Sequence, residues 1–440
     1  MRLFANRPDI FQQTWPTPEN AATVAHLCAR LQILRLRANQ RLWHDKIAPV
    51  APSGTAQALL DHFFGFPGVE DIVTGPEFSV WFAGLQDAYS TLSNDDIQGV
   101  LADFARFHIV LTLRSGQPAD LTVRLDTEGD LYLPGTPIRL TFGRHLQGAQ
   151  LNVHINEGPV VEDNSTLVRL LKDALCGAND RITITPPTHV GEPSNVDILP
   201  QSSGITIMDG TPLLTDTLKR VAGDSARIVG RNDPAPKDDI VAAFTELEQV
   251  SARFSSGVRA IVRWIVPFIS DVVYSTSDST LPGVVFVRLR AGDPLWNAEL
   301  ILHEAAHNWL VTLMRLDPLV SDTRQLYRSP WRKDLRPLRG ILVGTHAFLL
   351  VTDYMLTKWK LHHDPTGPIA QRTVLEHTRA MHGLTTLECD GTWTPAGRAC
   401  VASLRLYADK LTKELEVQKS ASRLWEAPSI AHDWPCLLDD

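Results

Sequence analysis

His303 and His307 stand four positions apart with Glu304 beside the first, and this triplet constrains the chain more than any other run of its residues. Positions i and i+4 of an α-helix lie one turn apart on one face, so both imidazoles can reach a single divalent ion. Glu304 points to the neighbouring face, within reach of a water on that ion. The surrounding stretch, Trp296 to Arg315, holds no Gly or Pro and carries apolar residues at helical spacing, so a helix is expected there. A chain with 15 histidines can also produce such a pair by chance. The neighbouring segments therefore decide how the pair is read.

Two histidines leave a metal underligated, since a catalytic site usually takes a third protein ligand and keeps one or more positions open. Leu338 to Trp359 reads as a second long helix, mostly apolar and so buried, with His346 and Asp353 as its inward-leaning polar residues. A buried imidazole needs a partner. A metal is one such partner; a backbone carbonyl or Asp353 is another. Asp353 lies too far along the helix axis from His346 to share an ion with it, which leaves it a supporting role. Between the two helices, Tyr327 to Arg339 packs five cationic residues around Trp331 in 13 positions. In an otherwise acidic chain this loop attracts anions, although an ordinary solvated basic loop would look the same. Guanidinium groups clamp carboxylates bidentately, so Arg332 and Arg336 are candidates to hold a small dicarboxylate beside the metal.

Three motifs now stand in one run: His303-Glu-Ala-Ala-His307, Ser329-Pro-Trp-Arg-Lys-Asp-Leu-Arg-Pro-Leu-Arg-Gly340, and Gly344-Thr-His-Ala-Phe348. Together they resemble the HExxH-motif proteins that modify ribosomally made peptides, a family regarded as iron(II)- and 2-oxoglutarate-dependent peptide β-hydroxylases. Weaker likeness extends to Ser275–Val287, Leu384–Thr386 and Thr394–Arg398, and the first half of the chain has no counterpart. The resemblance implies His303, His307 and His346 as iron ligands, 2-oxoglutarate and O₂ as co-substrates, and a precursor peptide as the partner. On that reading Arg332 or Arg336 pairs with the co-substrate, Glu304 sits in the active site, and a side-chain carbon, expected to be a Cβ, is hydroxylated.

The alternative is a zinc-dependent HExxH metallopeptidase with Glu304 as the base that activates water. Two departures weaken it. No Glu occurs between 338 and 361, where many such peptidases carry their third ligand, and Leu310 and Leu313 stand where a metzincin needs Gly and His. A third reading is a binding protein whose metal site is structural.

Composition narrows the class without choosing the chemistry. A 440-residue chain exceeds what one core usually organises, so two domains are expected, 1–230 and 231–440. The net charge of −8 argues against non-specific nucleic-acid binding. Five scattered cysteines read as reduced thiols of a cytoplasmic protein. No stretch is expected to span a bilayer, the nearest approach, Val258 to Val273, being broken by charges and Pro267.

The fold class expected is α+β. A mainly helical C-terminal metal-binding domain carries the HExxH helix, preceded by a β-rich middle region and a helical N-terminal region up to about residue 105. Alternating patterns at Phe107–Arg114, Asp120–Asp126, Pro137–Phe142, Gln150–Ile155, Ile182–Thr185 and Gly204–Met208 predict strands. The middle region is expected to present the substrate, since an extended peptide can pair with a sheet edge. Thr185–Gly204 reads as a loop, Arg231–Lys237 as a linker, and helices resume at Lys237. His108 and His154 fall in strand patterns and read as exposed or hydrogen-bonded sheet residues. His377 and His382 are placed on a further helix that can line the cleft.

Overall fold

The structure is a computed structural model. It describes residues 7–47, 63, 66, 69–79, 81–82, 104–112, 119–126, 129–134, 138–142, 145, 147, 149–156, 181–185, 195–198, 201–202, 205–208, 212–229, 235–321, 324–362 and 367–421. Two compact units emerge. One joins Met1–Ala25, Ser202–Gly210 and Leu214–Asp440; the other holds His26–Gln201 with Thr211–Leu213. These limits differ from a cut at 230/231, because short N-terminal and central segments belong with the helical C-terminal region.

In the first unit the elements are α1 (Pro8–Phe11), β1 (Ile205–Ile207), α2 (Pro212–Ala222), β2 (Arg227–Ile228), α3 (Ala235–Val250), α4 (Ala252–Ile261), β3 (Trp264–Ile269), β4 (Ser275–Thr276) and β5 (Val284–Val287). The helix α5 (Pro294–Leu316) follows, then a hairpin of β6 (Leu326–Arg328) and β7 (Leu335–Pro337). Three long helices complete the unit, α6 (Leu338–His362), α7 (Pro368–Asp390) and α8 (Pro395–Ala421). The sheet runs in the order β4-β5-β3-β1, with β1 and β5 parallel to β3, and β4 antiparallel at the edge. Buried on both faces, β3 and β5 read as the near-continuous apolar runs Trp-Ile-Val-Pro-Phe and Val-Val-Phe-Val.

α5 starts where its sequence says it should. The Asp293 carboxylate accepts from the Trp296 amide at 3.1 Å, and Pro294 occupies the first turn, where its missing N–H costs nothing. Asn308 fastens the helix to the sheet. Its side-chain amide donates to the Val284 carbonyl at 3.1 Å, and its oxygen accepts from the Gly283 amide at 2.7 Å. Gly283 has φ +78°, a conformation that other residues adopt only under strain. On the opposite side α5 meets α3 and α6.

The N-terminal stretch is tied to these helices by its main chain. Trp309 Nε1 donates to Gln13 O and Trp15 Nε1 to Arg253 O, each at 3.1 Å, and Ser403 Oγ donates to Gln12 O. Trp15 lies so close to Gly257 that any Cβ there would collide with the indole. By length and hydropathy α6 is the one described helix that would suffice to cross a membrane, against the expectation of none, yet 78% of its most apolar window is buried inside the protein.

Within the second unit, Ala119–Arg124, Gln150–Asn156 and Arg181–Thr185 form one antiparallel sheet, and Asp130–Tyr132, Ile138–Thr141 and Asn195–Ile198 another. The expected strands at 120–126, 137–142, 150–155 and 182–185 are therefore present, and 195–198, expected as loop, is a strand as well. Phe107–Arg114 is corrected: 104–112 is helical. Phe104, Phe107, His108 and Leu111 fall at helical spacing, every residue of the segment but the half-buried Arg106 is buried, and Phe104 and Phe107 pack on Phe63, Phe78 and Trp81 with ring centroids 4.7–6.0 Å apart. Burial on all sides mimics the short apolar run of a strand. His108 accordingly lies in a helix, buried, with its ring edge-on to Phe66 at 5.2 Å.

Candidate metal centre

α5 delivers His303 and His307 to one face, their ring centroids 4.4 Å apart. The ligand atoms of His303, Glu304 and His307 all lie within 4.8 Å of one another. They form the floor of a cleft of about 460 Å³. Ser275 to Ser279 make one wall; the segment after β6, with Trp331, Arg332 and Arg336, and the start of α6 make the other.

Glu304 is only 2% exposed, and its two oxygens differ. Oε1 accepts from Ser275 Oγ at 2.8 Å, and Ser277 also hydrogen-bonds this carboxylate. Oε2 lies 3.3 Å from His307 Nδ1 and has no other partner among the described residues. Burial alone would raise the Glu304 pKa, but the adjacent imidazoles and these hydrogen bonds outweigh it and bring the carboxyl down to about 2. His303 moves in the neutral direction: burial, reinforced by His307, pushes it down to about 3. Nε2 of His307 is buried with no hydrogen-bond partner among the described residues. A neutral imidazole, an ionised carboxylate and two orphaned polar atoms converging in one place are what a divalent cation would satisfy. The donor set therefore fits a metal, and its two-His-one-carboxylate composition is the one associated with non-haem iron(II).

His346 stands apart from this group. Its Nε2 lies 2.6 Å from the Thr14 carbonyl, which can only accept, so Nε2–H donates to it, and the residue is absent from the cleft lining. Burial lowers its pKa to about 4, against the opposing effect of that hydrogen bond. Asp353 is likewise committed, held by Arg253 and Tyr407. Of the other histidines, His377 pairs with Thr412 Oγ1 at 2.9 Å and His382 is exposed; neither lines the cleft. The backbone of His154 lies in a strand.

Arg332 and Arg336 both line the cleft, as expected from the basic loop, together with Arg339. Arg336 is paired with Asp334 at 2.8 Å. Burial and the neighbouring Arg336 lower the Arg332 pKa. Trp331 lines the same cleft. Its ring stacks on Phe348 at 4.7 Å with an interplanar angle of 10°, and Phe348 packs against His303 at 4.7 Å. Trp331 Nε1 donates to Glu376 at 3.1 Å, and Arg372 bridges Glu376 (3.0 Å) and Glu299 (2.7 Å), which lies one turn before His303. Gly344 and Gly383 make room for the indole, since a Cβ on either would press against it.

Sequence reasoning did not single out Ser275, Ser277, Arg339, Phe348 or the Glu299–Arg372–Glu376 network as site residues. Ser275 and Ser277 had a readable signal, two hydroxyls at strand spacing. The ion-pair network had none, because its members are far apart in the chain. No protein-family model matches the chain, and no curated protein matches it either. The likeness to HExxH peptide-modifying proteins rests on its three motifs alone.

Proposed function

We propose that this protein is an iron(II)- and 2-oxoglutarate-dependent oxygenase that hydroxylates a side-chain carbon, a Cβ by the motif resemblance, of a residue in a ribosomally made peptide. The observation that carries the reading is that two imidazoles and one ionised carboxylate, His303, His307 and Glu304, share one cleft with three arginines. Iron(II) in such a setting couples oxidative decarboxylation of the keto acid to insertion of one oxygen atom into a C–H bond. The chain's own residues have three tasks. His303, His307 and Glu304 would hold the ion, with Ser275 and Ser277 keeping Glu304 ionised and oriented. Arg332 is suited to clamp the distal carboxylate of 2-oxoglutarate, being unpaired among the described residues, whereas Arg336 already carries Asp334. Trp331 and Phe348 give the site an apolar wall beside His303 and limit water there.

One observation favours a second reading. Glu304 Oε2 lies 3.3 Å from His307 Nδ1 and has no other partner among the described residues, where a zinc peptidase would keep its base. The two readings separate on co-expression with the precursor peptide and in purified turnover. The oxygenase releases succinate only with iron(II), O₂ and 2-oxoglutarate, adds one oxygen atom to the peptide, and loses both activities in His303→Ala. Peptide cleavage by zinc-loaded protein without 2-oxoglutarate would instead establish the peptidase.

A further inference from the structure

The cleft has a wall made of main chain as well as side chains. β4 is the edge strand of the sheet in the first unit, paired on one side with β5 and on the other with no described strand. Its register is Ser275 opposite Val287 and Thr276 opposite Phe286, and the Arg288 amide donates to the Tyr274 carbonyl at 2.8 Å. In an antiparallel pair alternate residues exchange both hydrogen bonds with the partner, and the residues between them turn their N–H and C=O the other way. Tyr274 and Thr276 therefore face β5. The N–H and C=O of Ser275 face away from it. The extended course continues one residue beyond the strand, because Ser275 and Ser277 both reach Glu304 and only alternate residues of an extended chain share a side. The Ser277 N–H consequently shares the outward direction. After that the chain turns, with Asp278 accepting from the Thr280 amide at 2.7 Å and pairing with Arg220 at 2.8 Å.

All of Ser275 to Ser279 line the cleft, so this free edge borders the cavity that holds His303, Glu304 and His307. The hydroxyls of Ser275 and Ser277 fix Glu304 on one side of the strand while the main chain of the same two residues is left to pair along its edge.

We infer that the open edge of Ser275–Ser277 is the substrate-docking strand, which pairs with an extended peptide main chain and carries it past the metal-ligand face. The inference rests on the proposed function only in taking the occupant to be the substrate peptide. It places substrate presentation in the unit that bears the metal residues, where the sequence had suggested the β-rich middle region. Main-chain pairing supplies affinity without reading side chains, and alternate side chains of the peptide project into the cleft. A short edge of this kind would hold a few residues of peptide, in keeping with a cleft of about 460 Å³.

The test uses the full chain loaded with iron(II) under anaerobic conditions and a randomised library of short capped peptides. The tightest binder is then resynthesised as a series, each member N-methylated at one backbone amide. Affinity should fall about tenfold, the equivalent of one hydrogen bond to the edge, at every second position and little between them. In the protein, Ser277→Pro removes the outward N–H while remaining compatible with an edge strand, and Ser277→Ala removes only the hydroxyl. Peptide binding should be about tenfold weaker in the proline variant than in the alanine variant, with equal metal content in both. A library without binders, an N-methyl series without a period of two, or equal affinities of the two Ser277 variants would overturn the docking strand. Binding of 2-oxoglutarate, measured separately on the same samples, keeps the two claims distinguishable. Its persistence in any of those cases leaves the oxygenase reading standing, and its absence alongside a period of two removes that reading but keeps the docking strand.

Discussion

α5 and α6 are two apolar helices packed against each other, each with histidine in its buried length, and they treat histidine differently. On α6 the His346 ring donates from Nε2 to the Thr14 carbonyl and leaves Nδ1 buried without a hydrogen-bond partner among the described residues, outside the cleft. On α5 the rings of His303 and His307 face a cleft, and His307 Nε2 has no hydrogen-bond partner among the described residues. Burial and an unpartnered ring nitrogen are common to both helices and therefore do not identify a ligand. What separates them is whether the ring shares an open cleft with other ligand atoms, as His303 and His307 do with Glu304 and His346 does not.

Substitutions that exchange the two outcomes test this contrast most severely. His303→Ala or His307→Ala should weaken metal binding by at least about a hundredfold, more than is usual for loss of a supporting residue, whereas His346→Ala should keep one metal per chain. Metal analysis after dialysis decides it, and loss of metal from the His346 variant would return that residue to the ligand set. Next in size is Glu376→Ala, which leaves the buried Arg372 with Glu299 alone and frees the Trp331 indole. It should cost about 1.5–3 kcal/mol of stability by denaturant unfolding. A loss no larger than that of an ordinary surface substitution would show that the network does not brace the cleft wall. His346→Ala should destabilise by about 1–3 kcal/mol, because it leaves the Thr14 carbonyl without its donor.

The smallest effect is a pH slope. His346 folds with a pKa of about 4 and His303 with about 3, both below the unfolded value, so the unfolded chain binds more protons between those values and about 6.5. Stability of the metal-free protein should therefore decline as pH falls from about 6.5 to 4, by up to about 1.4 kcal/mol per pH unit for each group. Glu304, lowered to about 2, adds a further loss as pH drops from its unfolded value toward that point. In His346→Ala the slope above pH 4 should be shallower; an unchanged slope would mean that this ring does not fold neutral.

How much of this could be read beforehand depended on whether the deciding contact was local. The HExxH helix, its partner helix, four of the strands in the second unit and the anion-attracting loop follow from periodicity and charge within short windows. Arg332 and Arg336 reached the cleft for that reason. The position of His346 turned on Thr14, 332 residues away in the chain, and the alternative of a backbone-carbonyl partner was open from sequence without any means of choosing it. The helix at 104–112 was misread because burial on every side erases the polar face that distinguishes helix from strand. The compact units likewise depend on main-chain acceptors at Gln12, Gln13 and Thr14, which leave no trace in side-chain pattern.

The central claim is that His303, Glu304 and His307 hold iron(II) with positions left for a keto acid. Anaerobic titration of the iron-loaded protein with 2-oxoglutarate, followed by visible absorption, tests it directly. The account predicts a saturable metal-to-ligand charge-transfer band that is absent from His303→Ala and retained by His346→Ala. Iron-loaded protein that develops no such band, or a band that disappears with His346 and survives loss of His303, would contradict it.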